Sequence, residues 1–150
     1  MRPDLLLRYL RKKQIKDNKK RFEQKNLQFS VDSLYDLNYM GDSNPDHNLD
    51  IHSPQNATGE LPVLLVIHGG GYTQCEKFIN DAYSKVFAEK GYRVVNMNYS
   101  LQPEADFIEV MREIFAALHW IEANAQKYGF DCSHLFVTGD SAGGHYAMLV

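Results

Sequence analysis

Two hydrophobic patterns, one typical of strands and one typical of helices, alternate along most of the chain. Apolar and polar residues alternate over residues 27–39 and again at residues 49–51. The turn-rich residues 41–46 lie between these two runs. This pattern predicts a strand or hairpin that opens a sheet. Three further stretches, rich in valine, leucine or aromatic residues, predict strands buried in that sheet. They are Leu61 to Ile67, Tyr92 to Tyr99 and Leu135 to Val137.

Helical spacing separates these predicted strands. Apolar residues within 78–87 recur at helical intervals and stop before Gly91, which suits the end of a helix. A longer apolar stripe runs from Phe107 to Ala125 at intervals of three and four residues and ends near Gly129. Strands and helices that alternate with connections of this length predict parallel neighbours in an α/β sheet that helices cover on both faces.

The composition is that of a globular protein. With 150 residues, 44% hydrophobic and 12% aromatic, the chain suits about one domain with a real core, which excludes a wholly disordered protein. The apolar stretches are too short for a membrane span or a signal peptide, so we expect a cytoplasmic location. Cys75 and Cys132 lie far apart, and no histidine, cysteine or carboxylate pair has metal-ligand spacing. We therefore expect no disulfide framework, no metal and no cofactor.

The charge is distributed unevenly, although the net charge is only −3. Residues 1–25 contain ten lysines and arginines and three acidic residues, so this leader carries +7 and the remainder −10. A basic leader of this kind is able to bind nucleic acid or an anionic membrane surface. Its basic residues fall on every side of a helix, which favours a solvated helix that packs one end on the body. We divide the chain into a basic helical leader, residues 1–26, and a globular part, residues 27–150.

The first motif with chemical meaning is G-D-S-A-G at 139–143, directly after the predicted strand at 135–137. A serine hydroxyl is a poor nucleophile, so it must be exposed, deprotonated by a neighbour and close to donors that stabilise an oxyanion. A sharp turn from strand to helix exposes the serine, and the two glycines leave room for its backbone. Ser141 is therefore a candidate nucleophile.

The second motif is H-G-G-G-Y at 68–72, directly after the strand predicted at 61–67. A loop of glycines brings backbone N–H groups up to a substrate carbonyl without side chains in the way, as an oxyanion hole requires. Ligands of such sheets bind outside the carboxyl ends of the strands, where both motifs lie. The two motifs together indicate a nucleophile and an oxyanion hole.

These motifs resemble those of the α/β-hydrolase fold in its hormone-sensitive-lipase-like carboxylesterase branch. The segment N-Y-S-L-Q-P-E at 98–104 and the early strand at 49–54 are also similar to that branch, so the resemblance spans about residues 47–150. The family usually has arginine and alanine where Ser100 and Gln102 stand here, which bears on the packing of this loop and on substrate preference.

The resemblance implies a function and a role for each site residue. Ser141 would be the nucleophile that transfers the acyl group of a small carboxylic ester to water, as lipases and esterases do, and His68 would orient the glycine loop. The backbone N–H groups that hold the oxyanion would be those of Gly70, Gly71 and Ala142.

The acid and the base of the catalytic triad are expected after the serine in this fold. Residues 142–150 contain no carboxylate, and His145 lies four residues along the same helix, where we expect its ring to pack or hydrogen-bond nearby. We expect surface or structural roles for the remaining histidines, which are His47, His52, His119 and His134. The chain thus corresponds to the N-terminal half of a hydrolase domain over residues 27–150, cut off after the elbow strand and helix. We expect it to be inactive alone.

Two other classes of function stay open beside a serine esterase. A half hydrolase that docks on a partner chain, or on a second copy, through its unpaired strand would be an interaction protein or an inactive fragment. The third class is a nucleic-acid or membrane-surface module that uses the basic leader, and we rank it last. A downstream in-frame continuation that carries an aspartate and a histidine would favour the esterase.

Overall fold

The computed structural model describes residues 3–23 and 27–150, and within residues 3–23 it describes the side chains of residues 6, 9–17 and 20. The helices in these described ranges are α1 Pro3–Glu23, α2 Asp81–Glu89, α3 Phe107–Ala123, α4 Ala125–Tyr128 and α5 Ala142–Ala147. The strands there are β1 Val31–Asn38, β2 Asn48–Pro54, β3 Leu61–Ile67, β4 Arg93–Met97 and β5 Phe130–Gly139. Short 3₁₀ turns span Pro45–His47 and Lys77–Asn80. No helix in the described part of the chain is long and apolar enough to cross a membrane.

The strands form one mixed sheet in the order β1-β2-β4-β3-β5. The predicted hairpin is confirmed, because β1 pairs antiparallel with β2, and β2 pairs antiparallel with β4. The parallel neighbours are confirmed as well, since β3 lies parallel to both β4 and β5. The carboxyl ends of β3 and β5 therefore meet at one edge of the sheet, where both motifs follow.

Strand β3 is buried on both faces, as its continuous apolar run predicts. Val63, Leu65 and Ile67 pack in the cluster that includes α3 and α5, whereas Leu64 and Val66 pack on the opposite face against α2. All five are at most 7% exposed. Burial of a side chain of this size stabilises the fold by about 1.5–3 kcal/mol, so this central strand holds the two helical layers together.

Strand β5 corrects one prediction, because Leu135 to Val137 is not a buried strand. Leu135 and Val137 are only partly buried, and Phe136 is 50% exposed. The physical reason is position, since β5 lies at the end of the sheet with a neighbour on one side only. Its apolar run thus forms an open edge in the part of the chain that the structure describes.

The helix predicted from Phe107 towards Gly129 is divided in two. Helix α3 ends at Ala123, and Asn124 leaves the helical conformation while its side chain donates a hydrogen bond to the Trp120 carbonyl oxygen (2.8 Å). The short helix α4 then ends at Tyr128 and is capped by Gly129, whose left-handed backbone (φ 68°) suits glycine. The helical spacing of apolar residues continues across Asn124, so the pattern alone did not predict the break.

His52 lies fully buried on β2, opposite Ser33 of β1. Its Nδ1 is hydrogen-bonded to the Ser33 hydroxyl (2.8 Å), and its Nε2 lies 3.7 Å from Asp81 Oδ1, which is too long for a hydrogen bond. Burial lowers the pKa of His52 to about 4. The ring is therefore neutral at pH 7, and its contact with Asp81 is not an ion pair.

We predict that the open β5 edge makes the 150-residue chain self-associate. The apolar run of β5 has no charge within it, whereas β1, at the other end of the sheet, is protected by Asp32, Asp36 and a register shift after Leu34. Light scattering at micromolar concentration should give a mass above that of one chain. Phe136→Lys should lower this mass, while the matched change Tyr35→Lys on β1 should not. A monodisperse unsubstituted chain with a cooperative melt would contradict the prediction.

We predict that His52 makes stability fall on acidification. The unfolded ring titrates near pH 6.5 and the folded ring near 4, so between these values the unfolded state binds more protons and is favoured as the pH falls. The loss is about 1.4 kcal/mol per pH unit. Denaturant unfolding at pH 7 and 4.5 should show a smaller loss for His52→Asn than for the natural chain. His119→Asn, at an exposed ring, serves as the control and should show the natural loss.

Candidate active site

Ser141 lies on a sharp turn between β5 and α5, as the motif predicts. Its backbone has φ 49° and ψ −116°, a conformation that costs a residue with a side chain of order 1–3 kcal/mol. The residue is exposed, and the turn is closed by a hydrogen bond from the Gly143 N–H to the Asp140 carbonyl oxygen (2.8 Å). The strained turn thus presents the hydroxyl to solvent at the amino end of α5.

The two motif glycines allow the turn to pack directly on the end of β3. A Cβ atom on Gly143 would clash with the Ile67 carbonyl oxygen and lie 2.7 Å from that of His68. A Cβ atom on Gly139 would also meet the Ile67 carbonyl oxygen, at 2.7 Å. Any side chain at either position would push the serine away from the glycine loop.

Asp140 joins the two motifs. Its Oδ1 accepts hydrogen bonds from the Gly69 N–H (2.9 Å) and from the Asn80 side-chain amide (3.1 Å). Gly69 lies so close that a Cβ atom there would clash with the Asp140 side chain. The structure therefore brings the glycine loop and the serine turn into contact, through a residue that sequence analysis did not single out.

His68 is buried behind the glycine loop. Its ring stacks on that of Tyr99 (centroids 4.4 Å apart), and the Tyr99 hydroxyl donates to the His68 carbonyl oxygen (2.7 Å). Burial lowers the pKa of His68 to about 4, so the ring is neutral at pH 7. Its Nδ1 lies 2.7 Å from the Gly69 carbonyl oxygen, which only accepts, so Nδ1 carries the proton.

The three backbone N–H groups of the predicted oxyanion hole are each aimed by the carbonyl of their own peptide. In a trans peptide the C=O and the N–H point in opposite directions. The carbonyl before Gly70 is held by His68, and the carbonyl before Gly71 accepts the N–H groups of Thr73 and Gln74 (both 3.2 Å). The carbonyl before Ala142 accepts the first α5 hydrogen bond, from the His145 N–H (3.0 Å). Each N–H therefore points away from the support that holds its carbonyl.

Lys77 fixes the far end of the glycine loop, and sequence analysis missed it. Its ammonium group donates to Asp36 (2.7 Å) and to the buried Asp50 (2.6 Å). Its backbone N–H donates to Asn98 Oδ1 (2.6 Å), and its carbonyl oxygen accepts from the Asn96 amide (2.8 Å). A buried lysine needs such partners, and the only sequence signal for it was a lone cation in the segment after the glycines.

The 98–104 segment, which departs from the family at Ser100, is held by a buried carboxylate. Glu113 of α3 accepts the Ser100 N–H (2.7 Å) and is hydrogen-bonded to His47 Nε2 (3.1 Å). The other ring nitrogen of His47 lies 2.7 Å from Asp42 Oδ2. The His47 ring therefore ties Glu113 to the 42–47 turn, which is a structural role, as expected for it.

His145 packs and hydrogen-bonds close to its own helix, as predicted. Its Nδ1 is 3.0 Å from the Tyr72 hydroxyl, and its ring lies beside Phe107 at 5.8 Å between centroids. No cluster of histidine, cysteine or acidic residues in the described ranges could hold a metal ion. Both cysteines are free and partly buried.

A groove of about 490 Å³ lies at the amino ends of the parallel strands, away from the serine turn at their carboxyl ends. It is lined in part by Asp32, Arg93 and Gly129, near the amino ends of β4 and β5. None of the predicted site residues lines it. The candidate active site is therefore the open surface around Ser141 and the glycine loop.

Comparison with known proteins agrees with this geometry. The BD-FAE family model matches residues 49–150. The carboxylesterase NlhH of Mycobacterium tuberculosis is 32% identical over 67% of this chain and 32% of its own length, and the hormone-sensitive lipase of Bos taurus is 32% identical over 65% and 13%. An inhibited form of esterase B from Lactobacillus rhamnosis superposes with a TM-score of 0.87 at 30% identity.

The match to esterase B covers 97% of this chain and 48% of that protein. The chain thus spans about a third of NlhH and about half of esterase B. The family match over more than half of the chain, the two motifs and the shared fold lead to one assignment. The chain belongs to the BD-FAE family, among the hormone-sensitive-lipase-like esterases of the α/β-hydrolase fold.

Proposed function

We propose that this chain carries the nucleophile and the oxyanion hole of a serine hydrolase that cleaves carboxylic esters. The observation that carries the proposal is the contact between the turn that bears the exposed Ser141 and the glycine loop, whose peptide carbonyls are held in fixed directions. The names of its relatives, carboxylesterase and lipase, support the same class of substrate. The cytoplasmic location stays a prediction.

In the proposed reaction the Ser141 hydroxyl oxygen attacks the ester carbonyl carbon while a histidine base takes its proton. The carbonyl oxygen becomes negative and is held by the N–H groups of Gly70, Gly71 and Ala142. The tetrahedral intermediate then breaks its bond to the alkoxy oxygen, which leaves as an alcohol with the proton from the base. Water repeats the attack, releases the acid and restores the serine. No cofactor enters these steps.

We propose that the base and the acid that orients it lie outside these 150 residues, on a continuation of the polypeptide or on a second chain. His145 is already hydrogen-bonded to the Tyr72 hydroxyl (3.0 Å). The open β5 edge and the exposed apolar residues of the last turn support a completing chain. Those residues are Met148, Leu149 and Val150.

We predict that activity depends on completion and on Ser141. The 150-residue chain should show little turnover of an aryl acetate, and the chain continued by its downstream coding sequence should show turnover. Ser141→Ala should lower kcat of the continued protein by at least about a thousandfold, because the nucleophile is lost. Stopped-time assays of phenolate release measure this loss.

The matched control is Ser33→Ala. Ser33 is hydrogen-bonded to His52, whose other ring nitrogen faces Asp81, so these three residues have the types of a catalytic triad. Ser33 lies within strand β1, however, and no glycine loop lies beside it. Its loss should leave kcat within a few-fold of the natural value. Equal activity of the natural protein and Ser141→Ala would refute the nucleophile assignment. A continued protein without any esterase activity would favour a non-catalytic interaction protein.

We predict that two inactivating substitutions of Ser141 differ in their effect on stability. Alanine keeps a side chain at φ 49°, whereas glycine relieves the strain and loses only about 0.5–1 kcal/mol to chain entropy. Ser141→Gly should therefore unfold at a higher denaturant concentration than Ser141→Ala, and its free energy of unfolding should be larger by about 1 kcal/mol. Equal stabilities would show that the turn is not strained.

A further inference from the structure

Arg11 differs from its neighbours on the basic helix α1. Its side chain is only 13% exposed, whereas Lys12, Lys13 and Lys16 are exposed. The guanidinium group reaches the loops at the carboxyl ends of β3 and β4, more than 60 residues along the chain. It donates from Nε to the Thr73 carbonyl oxygen, from Nη2 to the Gln102 carbonyl oxygen and from Nη1 to Glu104, at 2.8, 2.6 and 3.2 Å.

A chain of hydrogen-bonded peptides leads from Arg11 to the oxyanion hole. The peptide between residues 73 and 74 accepts the Arg11 Nε–H at its carbonyl oxygen. The N–H of this same peptide, on Gln74, donates to the Gly70 carbonyl oxygen (3.2 Å). That carbonyl belongs to the same peptide as the Gly71 N–H. Both peptides are trans, so each passes the direction of one bond on to the next.

A second arm ends on the same carbonyl. The Gln102 N–H donates to the Tyr72 carbonyl oxygen (2.9 Å), and the N–H of that same peptide, on Thr73, donates to the Gly70 carbonyl oxygen (3.2 Å). Arg11 donates to the Gln102 carbonyl, which belongs to the next peptide, so this arm passes through the Cα atom of Gln102. Its fork thus closes both arms, and a single side chain locks the 70–74 turn against the 98–104 segment.

The charge of Arg11 acts along this chain as well. A cation that donates to one end of connected peptides polarises each bond and makes the last N–H a stronger donor. Glu104 lies beside the guanidinium and compensates its charge, so the group is tolerated in a mostly buried position. Lysine carries the charge but lacks the planar fork that reaches two carbonyls at once.

We infer that Arg11 is a positioning residue that aims the Gly71 N–H and strengthens it as a donor to the oxyanion. This assigns the basic helix the task of fixing the oxyanion hole from behind. The catalytic part of the inference rests on the proposed esterase function, whereas the structural part does not.

The structural part is tested by amide hydrogen exchange with mass spectrometry on the 150-residue chain. In Arg11→Ala, exchange in peptides that cover Thr73 and Gln74 should be at least about tenfold faster, while exchange in β3 stays unchanged. Arg11→Lys should fall between the two. Lys12→Ala, an equal loss of charge on the exposed side of α1, should match the natural chain.

Two outcomes would overturn the inference. If the amides of residues 70–75 exchange at the same rate in Arg11→Ala and in Lys12→Ala, the turn is rigid without the guanidinium fork. A uniform increase across the molecule, β3 included, would show that Arg11 is a general stabilising residue.

The catalytic part is tested in the continued, active protein. Arg11→Ala should lower kcat for an aryl acetate about tenfold with KM within twofold, because the oxyanion forms only in the transition state. An unchanged kcat would refute the link to catalysis. If the natural protein has no esterase activity and the local exchange effect is still present, the proposed function fails and the positioning role stands.

Discussion

Backbone packed directly on backbone, where β3 and β5 end, is the constraint on which the site depends. Parallel neighbours bring the two carboxyl ends together, and the turn after β5 then rests on the carbonyl oxygens of Ile67 and His68. Only glycine at 139 and 143 permits this approach. The motif glycines are thus first a packing requirement, and the exposed, strained serine follows from it.

The backbone N–H groups of the proposed oxyanion hole are oriented through the carbonyl groups of their own peptides, which point in the opposite direction. In an unsupported glycine loop the N–H groups would point in many directions, because glycine reaches more backbone conformations than any other residue. Here His68, the 70–74 turn and the start of α5 each hold one carbonyl, and the opposed N–H is thereby aimed. His68 and Arg11 therefore hold the glycine loop and the turn after it from behind the proposed site.

Buried polar groups secure the ends of these loops at a desolvation cost that their partners offset. Lys77 lies between two aspartates, and Glu113 between His47 and the Ser100 N–H. An unpaired charge in either position would be strongly unfavourable. Each group ties a loop to a distant strand or helix, so the loops around the serine are held by side chains from all parts of the chain.

The sequence by itself determined the α/β class, the order of strands and helices, and the two motifs with Ser141 and His68, because each depends on spacing between near neighbours. It did not determine that Leu135 to Val137 lies at an open edge, since a hydrophobic run states a preference for burial and not the presence of a neighbour. The roles of Arg11 and Lys77 were equally out of reach, because their partners lie tens of residues away. Only the tertiary structure brings such groups within hydrogen-bond distance, and only there does Arg11, on a helix whose charge pattern predicts a solvated surface, hold the loops after β3 and β4.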